Sequence, residues 1–228
     1  KIFVSLTLFI FFLSITLITI LSTSGIITKK FNKIIINKVT QSKNIKLELE
    51  TIKFKLDIKE FSLFLETQRP KISYSDMSIP VQSIKLYIDF ISILKSNPKI
   101  KKATLNLEEL DIKQLNKLSI LIKPSNFKSF LNNKIEEGKL VSQIEIFLNE
   151  NGIFENFIAK GTVKGFKINI LNDFNLTDIN LSFFADKNDI LIKNISGYAE
   201  DIKLSDGDIK LNLENGINLV TNFNSKIR

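Results

Sequence analysis

The chain has 228 residues and a formal net charge of +8, and it contains neither cysteine nor histidine. The missing cysteines exclude a disulfide framework and thiolate metal sites. The missing histidines remove the commonest general base and metal ligand, so we expect no enzyme and no cofactor. The lysines alternate with isoleucine, leucine and phenylalanine. This spacing is typical of the wet face of a sheet and argues against a nucleic-acid partner.

The first feature along the chain is an uncharged stretch of 26 residues, Ile2 to Ile27. As a helix it would reach roughly 39 Å, more than the ~30 Å hydrocarbon core of a bilayer. The sequence therefore predicts a transmembrane anchor over residues 1–28. A signal peptide has a shorter apolar region, which favours an uncleaved anchor, although the small residues 22–25 leave cleavage open.

The orientation of this anchor is not fixed by its flanking charges. Five lysines follow the apolar stretch and one precedes it: Lys29, Lys30, Lys33, Lys38 and Lys43 against Lys1. The positive-inside rule would keep the rest of the chain in the cytoplasm, but that rule weakens before a long domain. Residues 29–43 are predicted to form a juxtamembrane helix or linker, with Phe31, Ile34, Ile35 and Val39 as its apolar stripe.

From Asn44 apolar and polar residues alternate, which predicts strands with one apolar and one wet face. The alternation changes phase at 50–51 and again at 59–60, and each change requires a tight turn or a bulge. Further strands are predicted at 72–75, 82–89 and 103–107. The candidates for a lipid-binding apolar row are Ile45, Leu47, Leu49, Ile52, Phe54, Leu56, Ile84, Leu86 and Ile88.

The middle of the chain predicts helices. Residues 90–95 form a short apolar stretch that ends at Asn97-Pro98. Residues 115–122 are ambiguous between helix and strand. Residues 125–137 predict a helix with Ser125 as N-cap and Gly138 just beyond its end. This helix is expected to cover one end of the sheet, and an interfacial membrane helix is the alternative.

Strands resume at 141–148 and continue with turn signals every 8–15 residues, as in antiparallel meanders. Asn151-Gly152 predicts a hairpin, and residues 205–208 predict a further turn between two strands. The strands in between are expected at 157–163, 166–171, 176–185, 190–195, 209–213 and 217–223. Acidic residues cluster at 108–111 and 206–208, where solvated loops are favoured over a cation site.

Residues 44–228 therefore predict a mostly β domain, and its strand rhythm suggests continuation beyond Arg228. Its apolar rows fit either a closed β-sandwich with a dry core or an open, curved sheet with an exposed apolar groove. An open groove would suit acyl chains, because burying each methylene is worth about 0.8 kcal/mol. The alternation alone does not separate the two folds.

The order of features over residues 1–112 resembles the N-terminal part of the AsmA-like family of bacterial envelope proteins. The resemblance lies in the anchor, the stretch Pro70–Tyr74, the strand region Ser83–Leu94, and the strand Pro98–Leu107 after a short gap. It implies an inner-membrane protein whose periplasmic β-groove carries phospholipid toward the outer membrane. The implied partners are membrane phospholipids and envelope proteins.

Two other functions remain open. An anchored β-sandwich would act as a structural or protein-interaction module, with its apolar rows forming only a core. A cytosolic lipid carrier would keep the groove but change the compartment.

Overall fold

The computed structural model describes residues 2–29, 32, 35–36, 44–59, 62–89, 92, 99–171, 174–214 and 218–227. Most of the predicted juxtamembrane helix, including Phe31, Ile34 and Val39, lies outside the described residues. The same is true of the apolar stretch at 90–95 apart from Ser92, and of Asn97-Pro98. Asn32, Ile35 and Ile36 are helical.

The N-terminal helix α1 covers Ile2–Thr23 and is fully uncharged. Its hydroxyl groups donate to carbonyl oxygens one turn earlier, as Thr7 does to Phe3 at 2.9 Å, so they are satisfied without water. The helix is shorter than the predicted anchor, because Ile26–Thr28 form a strand after Gly25. Its 22 residues still reach roughly 33 Å, and it alone among the described helices is long and apolar enough to cross a membrane.

The strands form one open antiparallel sheet, with β1 at one end of the main order and β14 at the other. Their bounds are β1 Ile26–Thr28, β2 Ile45–Glu48, β3 Ile52–Asp57, β4 Ser62–Gln68, β5 Lys71–Tyr74, β6 Met77–Ile88, β7 Ile100–Leu107, β8 Leu110–Asp111, β9 Ile135–Leu148, β10 Phe154–Leu171, β11 Phe174–Asp186, β12 Asp189–Ala199, β13 Ile202–Asn212 and β14 Asn218–Ile227. The main order is β1-β3-β4-β6-β7-β9-β10-β11-β12-β13-β14. Three short strands extend it, since β5 pairs with β2 and β6, and β8 pairs with β9.

This arrangement decides between the two predicted folds. All fourteen strands of the described chain belong to the same sheet, and its two ends do not meet. The closed β-sandwich is therefore wrong, and the mostly β, curved, groove-like sheet is confirmed.

A line of irregularities, the crease, runs across the sheet. On the N-terminal side it separates β2 from β3 and β4 from β5, where Arg69 has a φ of 47°. This confirms the break predicted at residues 50–51. In the later strands the crease passes through bulges at Gly165, Asp178, Asn194 and Asp206, each with φ between 51° and 57°. Bulges of this kind bend a strand without ending it.

The crease corrects two predicted strand breaks. Residues 205–208 do not form a turn, because β13 runs continuously from Ile202 to Asn212 with a register shift there. The predicted strands 157–163 and 166–171 are likewise one strand, β10, bulged near Gly165. By contrast, the Asn151-Gly152 hairpin is confirmed. There the Asn149 side-chain oxygen accepts from the backbone N–H groups of Asn151 and Ile153.

Two helices connect β8 to β9, namely α2 (Ile112–Ile122) and α3 (Asn126–Lys134). The ambiguous residues 115–122 are helical because Asp111 caps α2, accepting from the Lys113 N–H at 2.8 Å. Ser125 caps α3 as predicted, but the chain turns into β9 at Ile135, earlier than expected.

Gly138 does not end a helix. It lies within β9 with a φ of 144°, directly under Ile112 and Phe166. A β-carbon there would come within 2.8 Å of Ile112 Cδ1 and 3.0 Å of Phe166 Cδ2. The glycine is therefore required by the close approach of α2 to the sheet.

Candidate functional site

One side of the sheet carries an unbroken row of mainly apolar side chains, which we call the apolar face. Directly paired residues of neighbouring strands point to the same side, so the row can be followed from β3 to β14. It consists of Ile52, Thr67, Ile84, Leu105, Ile144, Ala159, Ala185, Ile190, Leu211 and Leu219. Thr67 is its one polar member.

Parallel rows lie on either side of it. One comprises Phe54, Leu65, Leu86, Ala103, Ile146 and Phe157. The other comprises Ser142, Gly161, Phe183, Ile192, Ile209 and Thr221. The apolar face is therefore several residues wide, and its long axis runs perpendicular to the strands.

The structure places the predicted candidates on this face, at its N-terminal end. Strand β4 lies between the β3 and β6 candidates, so that Phe54, Leu65 and Leu86 form one of the cross-strand rows. Leu47 and Leu49 join them across the crease by lining the same cavity. Ile45 lies two residues before Leu47 in β2, so it shares that side of the strand. The predicted set is thus a real cluster.

Several of these candidates form a packed core, however, and are not an accessible surface. Ile52 is 1% exposed, and with Leu65 and Ile88 it makes a buried cluster. Ile35 packs on this cluster from the segment that follows α1 and β1. The apolar face is therefore filled where it approaches α1.

A small cavity remains in the filled part, with a volume of about 60 Å³. It is lined by Ile35, Leu47, Leu49, Ile52, Leu65, Thr67, Ile84 and Leu86. This space is enough for one or two small molecules the size of water, and far too small for an acyl chain.

From β11 to β14 the same rows contain no buried residue. Ile144, Ile190, Ile192, Ile209 and Leu211 are half-buried, although they occupy the same face as the filled core. Among the described elements, none except the neighbouring strands packs extensively on β11, β12 or β13. The prediction missed these residues. Their alternation was visible in the sequence, but the bulges hid which alternate residues shared a side.

Glycine–phenylalanine pairs shape the floor of this open part. Phe183 lies over Gly161 of the next strand, where a β-carbon would come within 2.8 Å of the ring and 2.3 Å of the Val141 carbonyl oxygen. Phe223 covers Gly207 in the same way. Each glycine leaves room for the aromatic ring of the adjacent strand. The ring covers the position where the glycine has no side chain, so the face stays apolar there.

The other side of the sheet, the polar face, is charged where the apolar face is filled. The Glu66 carboxylate lies 2.7 Å from the Lys55 ammonium and 3.8 Å from that of Lys85. Beside them Tyr87 stacks on Phe64 with ring centres 5.3 Å apart, and the Lys102 ammonium lies 4.2 Å from the centre of the Tyr87 ring. The predicted lysines do lie opposite the apolar face, but this face is not wet here, because Phe64, Glu66 and Tyr87 are each less than 10% exposed.

An open cleft of about 950 Å³ lies at the strand ends between β6–β7 and β9–β10. Asp89 lines it, and a hydrogen bond from the Lys101 ammonium lowers the pKa of this carboxyl, with a further contribution from the Ser92 N–H. Lys99, Glu150 and Glu155 complete a lining of mixed charge. In the part of the chain that the structure describes, no group of three or more acidic residues is placed to hold a metal ion.

Comparison with protein-family models, with curated proteins and with solved structures finds no match for this chain. The AsmA-like resemblance therefore stays a prediction.

Proposed function

We propose that this protein is a membrane-anchored lipid carrier of the AsmA-like kind, which shields phospholipid acyl chains on its apolar face. The observation that carries the proposal is the row of mainly apolar side chains that crosses ten strands of an open sheet. An apolar surface of this extent on a soluble domain normally marks a binding site. The helix α1, joined to the same sheet through β1, would hold that surface beside a bilayer.

The dimensions suit an acyl chain. The part of the row on β9 to β14 spans five inter-strand spacings, or roughly 24 Å at about 4.8 Å each. Each methylene removed from water contributes about 0.8 kcal/mol, so even partial coverage of a fatty-acyl chain favours binding strongly. The mechanism would be passive, because the face offers contact without reactive groups. Head groups would remain in water at the open side.

The bound lipid is expected on the later strands. Ile35 and the buried cluster around Ile52 occupy the beginning of the face, whereas Ile190, Ile192 and Leu211 keep part of their surface free. The residues predicted from the sequence would then close the groove at its anchored end, and β9 to β14 would form its accessible part.

A photo-crosslinking experiment tests this placement. A benzophenone side chain is introduced at Ile192 on the apolar face, and in a matched variant at Leu191, its half-buried neighbour on the polar face. The full chain is irradiated in membranes and analysed by mass spectrometry. Phospholipid adducts at position 192 and not at 191 are expected. Equal yields at both positions, or none at 192, would contradict the proposal.

Native mass spectrometry of the full chain, released gently from membranes, gives a second test. A co-purifying mass of one or more phospholipids is expected. If no preparation of the full chain carries bound phospholipid, the proposal is contradicted.

We place the sheet in the periplasm of a bacterium, with α1 in the inner membrane. Because the chain has no cysteine, Asn151→Cys in the β9–β10 loop would be its single thiol. A membrane-impermeant maleimide should label this thiol in cells whose outer membrane has been made permeable. Labelling that appears only after lysis would place the sheet in the cytoplasm.

A further inference from the structure

The connection between β8 and β9 carries an unusual charge distribution. The helical hairpin, which we define as residues 112–134 of α2, α3 and their link, contains five lysines and no acidic residue. They are Lys113, Lys117, Lys123, Lys128 and Lys134. The hairpin therefore contributes +5 of the net +8 within a tenth of the chain.

The same hairpin exposes large apolar side chains where its two helices meet. Ile122 is 60% exposed and Phe127 is 68% exposed, on either side of the link. Leu121 and Phe130 are 44% and 47% exposed. We call these four residues the apolar tip.

The link is held in place by hydrogen bonds. The Lys128 ammonium donates to the carbonyl oxygens of Ser119 and Lys123, both at 2.9 Å, and the Asn116 amide donates to the Lys128 carbonyl oxygen at 3.0 Å. The two helices are thus fastened to each other by the polar groups that end α2.

The apolar tip is not the face that packs on the sheet. That role belongs to Leu118, which is 4% exposed, and to Ile112 above Gly138. The tip is thus a second apolar surface within a basic segment of the chain. Apolar residues within a basic helical segment are the pattern of interfacial membrane binding. Nucleic acid fits less well, because Leu121 and Ile122 have no ring on which a base could stack.

The position of the hairpin separates it from the anchor. Strand β1 pairs Ile26 with Phe54, and α1 precedes it, so the anchor joins the sheet near the C-terminal end of β3. The side chains of α1 up to Ile20 are exposed, so this helix projects away from the sheet. The hairpin enters β9 at Ile135, nine residues or roughly 30 Å of strand before Ile144, which shares its row with Ile52. It thus lies at the opposite strand ends.

We infer that the helical hairpin docks on an anionic bilayer surface apposed to the one that holds α1. Its apolar tip enters the boundary between head groups and acyl chains, and its exposed lysines Lys113, Lys117 and Lys123 lie over anionic head groups. This contact does not depend on lipid being carried on the apolar face. It would give the protein a second membrane attachment, at the edge of the sheet away from its anchor.

The chain has no tryptophan, so Phe127→Trp introduces a single fluorophore into the tip. The full chain is reconstituted through α1 in nanodiscs of neutral phosphatidylcholine. Vesicles with about one third phosphatidylglycerol are then added. A blue shift of the emission is expected, together with quenching by brominated lipid present only in the vesicles. Val220→Trp, at a 67% exposed position of β14, should not respond.

Charge reversal tests the electrostatic part. Each lysine near an anionic surface is worth about fivefold in affinity, so Lys117→Glu with Lys123→Glu should weaken vesicle binding by more than about tenfold. The matched pair Lys203→Glu with Lys210→Glu, on exposed positions of β13, should leave binding unchanged. Circular dichroism confirms that both double variants are folded.

Three results would overturn the inference. They are no response of the Phe127→Trp chain to anionic vesicles, an equal response to neutral vesicles, and emission already shifted in the nanodisc before vesicles are added. The last would mean that the tip touches the anchor's own bilayer. Phospholipid adducts at position 192, measured on the same chain, report separately on the proposed groove.

Discussion

The two halves of the sheet use the same alternating pattern for different purposes. In β2 to β8 most strands are short, and Ile35 packs with Leu49, Phe54 and Leu86 on the buried cluster of Ile52, Leu65 and Ile88. In β9 to β14 the strands are 10 to 18 residues long, and side chains such as Ile192 remain half-exposed. A periodicity of two therefore fixes which residues share a side. Whether that side becomes a core or a surface depends on what packs against it.

The largest expected effect concerns the filled half. Ile52→Ala should lower the free energy of unfolding by about 2–5 kcal/mol, since it removes a side chain that is 1% exposed and leaves a cavity. Ile192→Ala should cost less than about 1.5 kcal/mol, because part of its surface already faces solvent. Urea unfolding of the full chain in detergent measures both. Equal losses would remove the distinction between the two halves.

The open half depends on close approach between strands at Gly161. Gly161→Ala should destabilise the protein by about 1–3 kcal/mol, because its β-carbon would be forced against the Val141 carbonyl oxygen and the Phe183 ring. Gly152→Ala is the comparison. It has open space around it, so only its φ of 75° opposes the change, at about 1 kcal/mol. A neutral Gly161→Ala would mean that the floor of the apolar face is looser than described.

A charge on the apolar face should separate lipid binding from stability. Ile192→Lys is expected to reduce co-purifying phospholipid at least about tenfold, since an unpaired charge beside acyl chains costs more than ~1.4 kcal/mol. Leu191→Lys, on the polar face of the same strand, should retain its lipid. The melting temperature of each variant shows whether the fold survives. Lipid lost equally from both variants would argue against a binding face.

The smallest effect is a pH dependence at the cleft between β6–β7 and β9–β10. The pKa of Asp89 is lowered by Lys101, so the carboxylate stabilises the fold above about pH 4, and this is lost as the pH falls further. Asp89→Asn should therefore melt below the unchanged chain at pH 6, and the gap should narrow as the pH falls below about 4. A gap that does not narrow below about pH 4 would mean that the Asp89–Lys101 pair is not its cause.

Local structure was predicted correctly where a sequence pattern is compatible with only one structure. The uncharged residues after Lys1 form a helix of membrane-spanning length, Ser125 caps α3, and Asn151-Gly152 closes a hairpin. The six predicted apolar residues of β3 and β6 share a face, because alternation within each strand determines the side on which each residue lies. None of these conclusions needs a distant contact.

The predictions were wrong where a sequence pattern is compatible with two structures. Asp206-Gly207 accommodates a positive φ equally well in a turn or in a bulge, and only pairing with β12 and β14 makes it a bulge. Gly138 fits the end of a helix, but the space is taken by Ile112 and Phe166. Both glycines are explained by neighbours that are remote in sequence.

The sequence by itself determined the long apolar N-terminal helix, the strand content and the presence of an apolar side, since each follows from composition and period within one segment. Only the tertiary structure decided that this side is filled around Ile52, that it keeps half-exposed residues such as Ile190 and Ile192 in the later strands, and that a basic hairpin exposes an apolar tip. The physical reason is that a side chain becomes buried only when a second surface packs against it. A single strand specifies its own two sides, whereas the partner that covers one of them, or leaves it to solvent, comes from elsewhere in the chain.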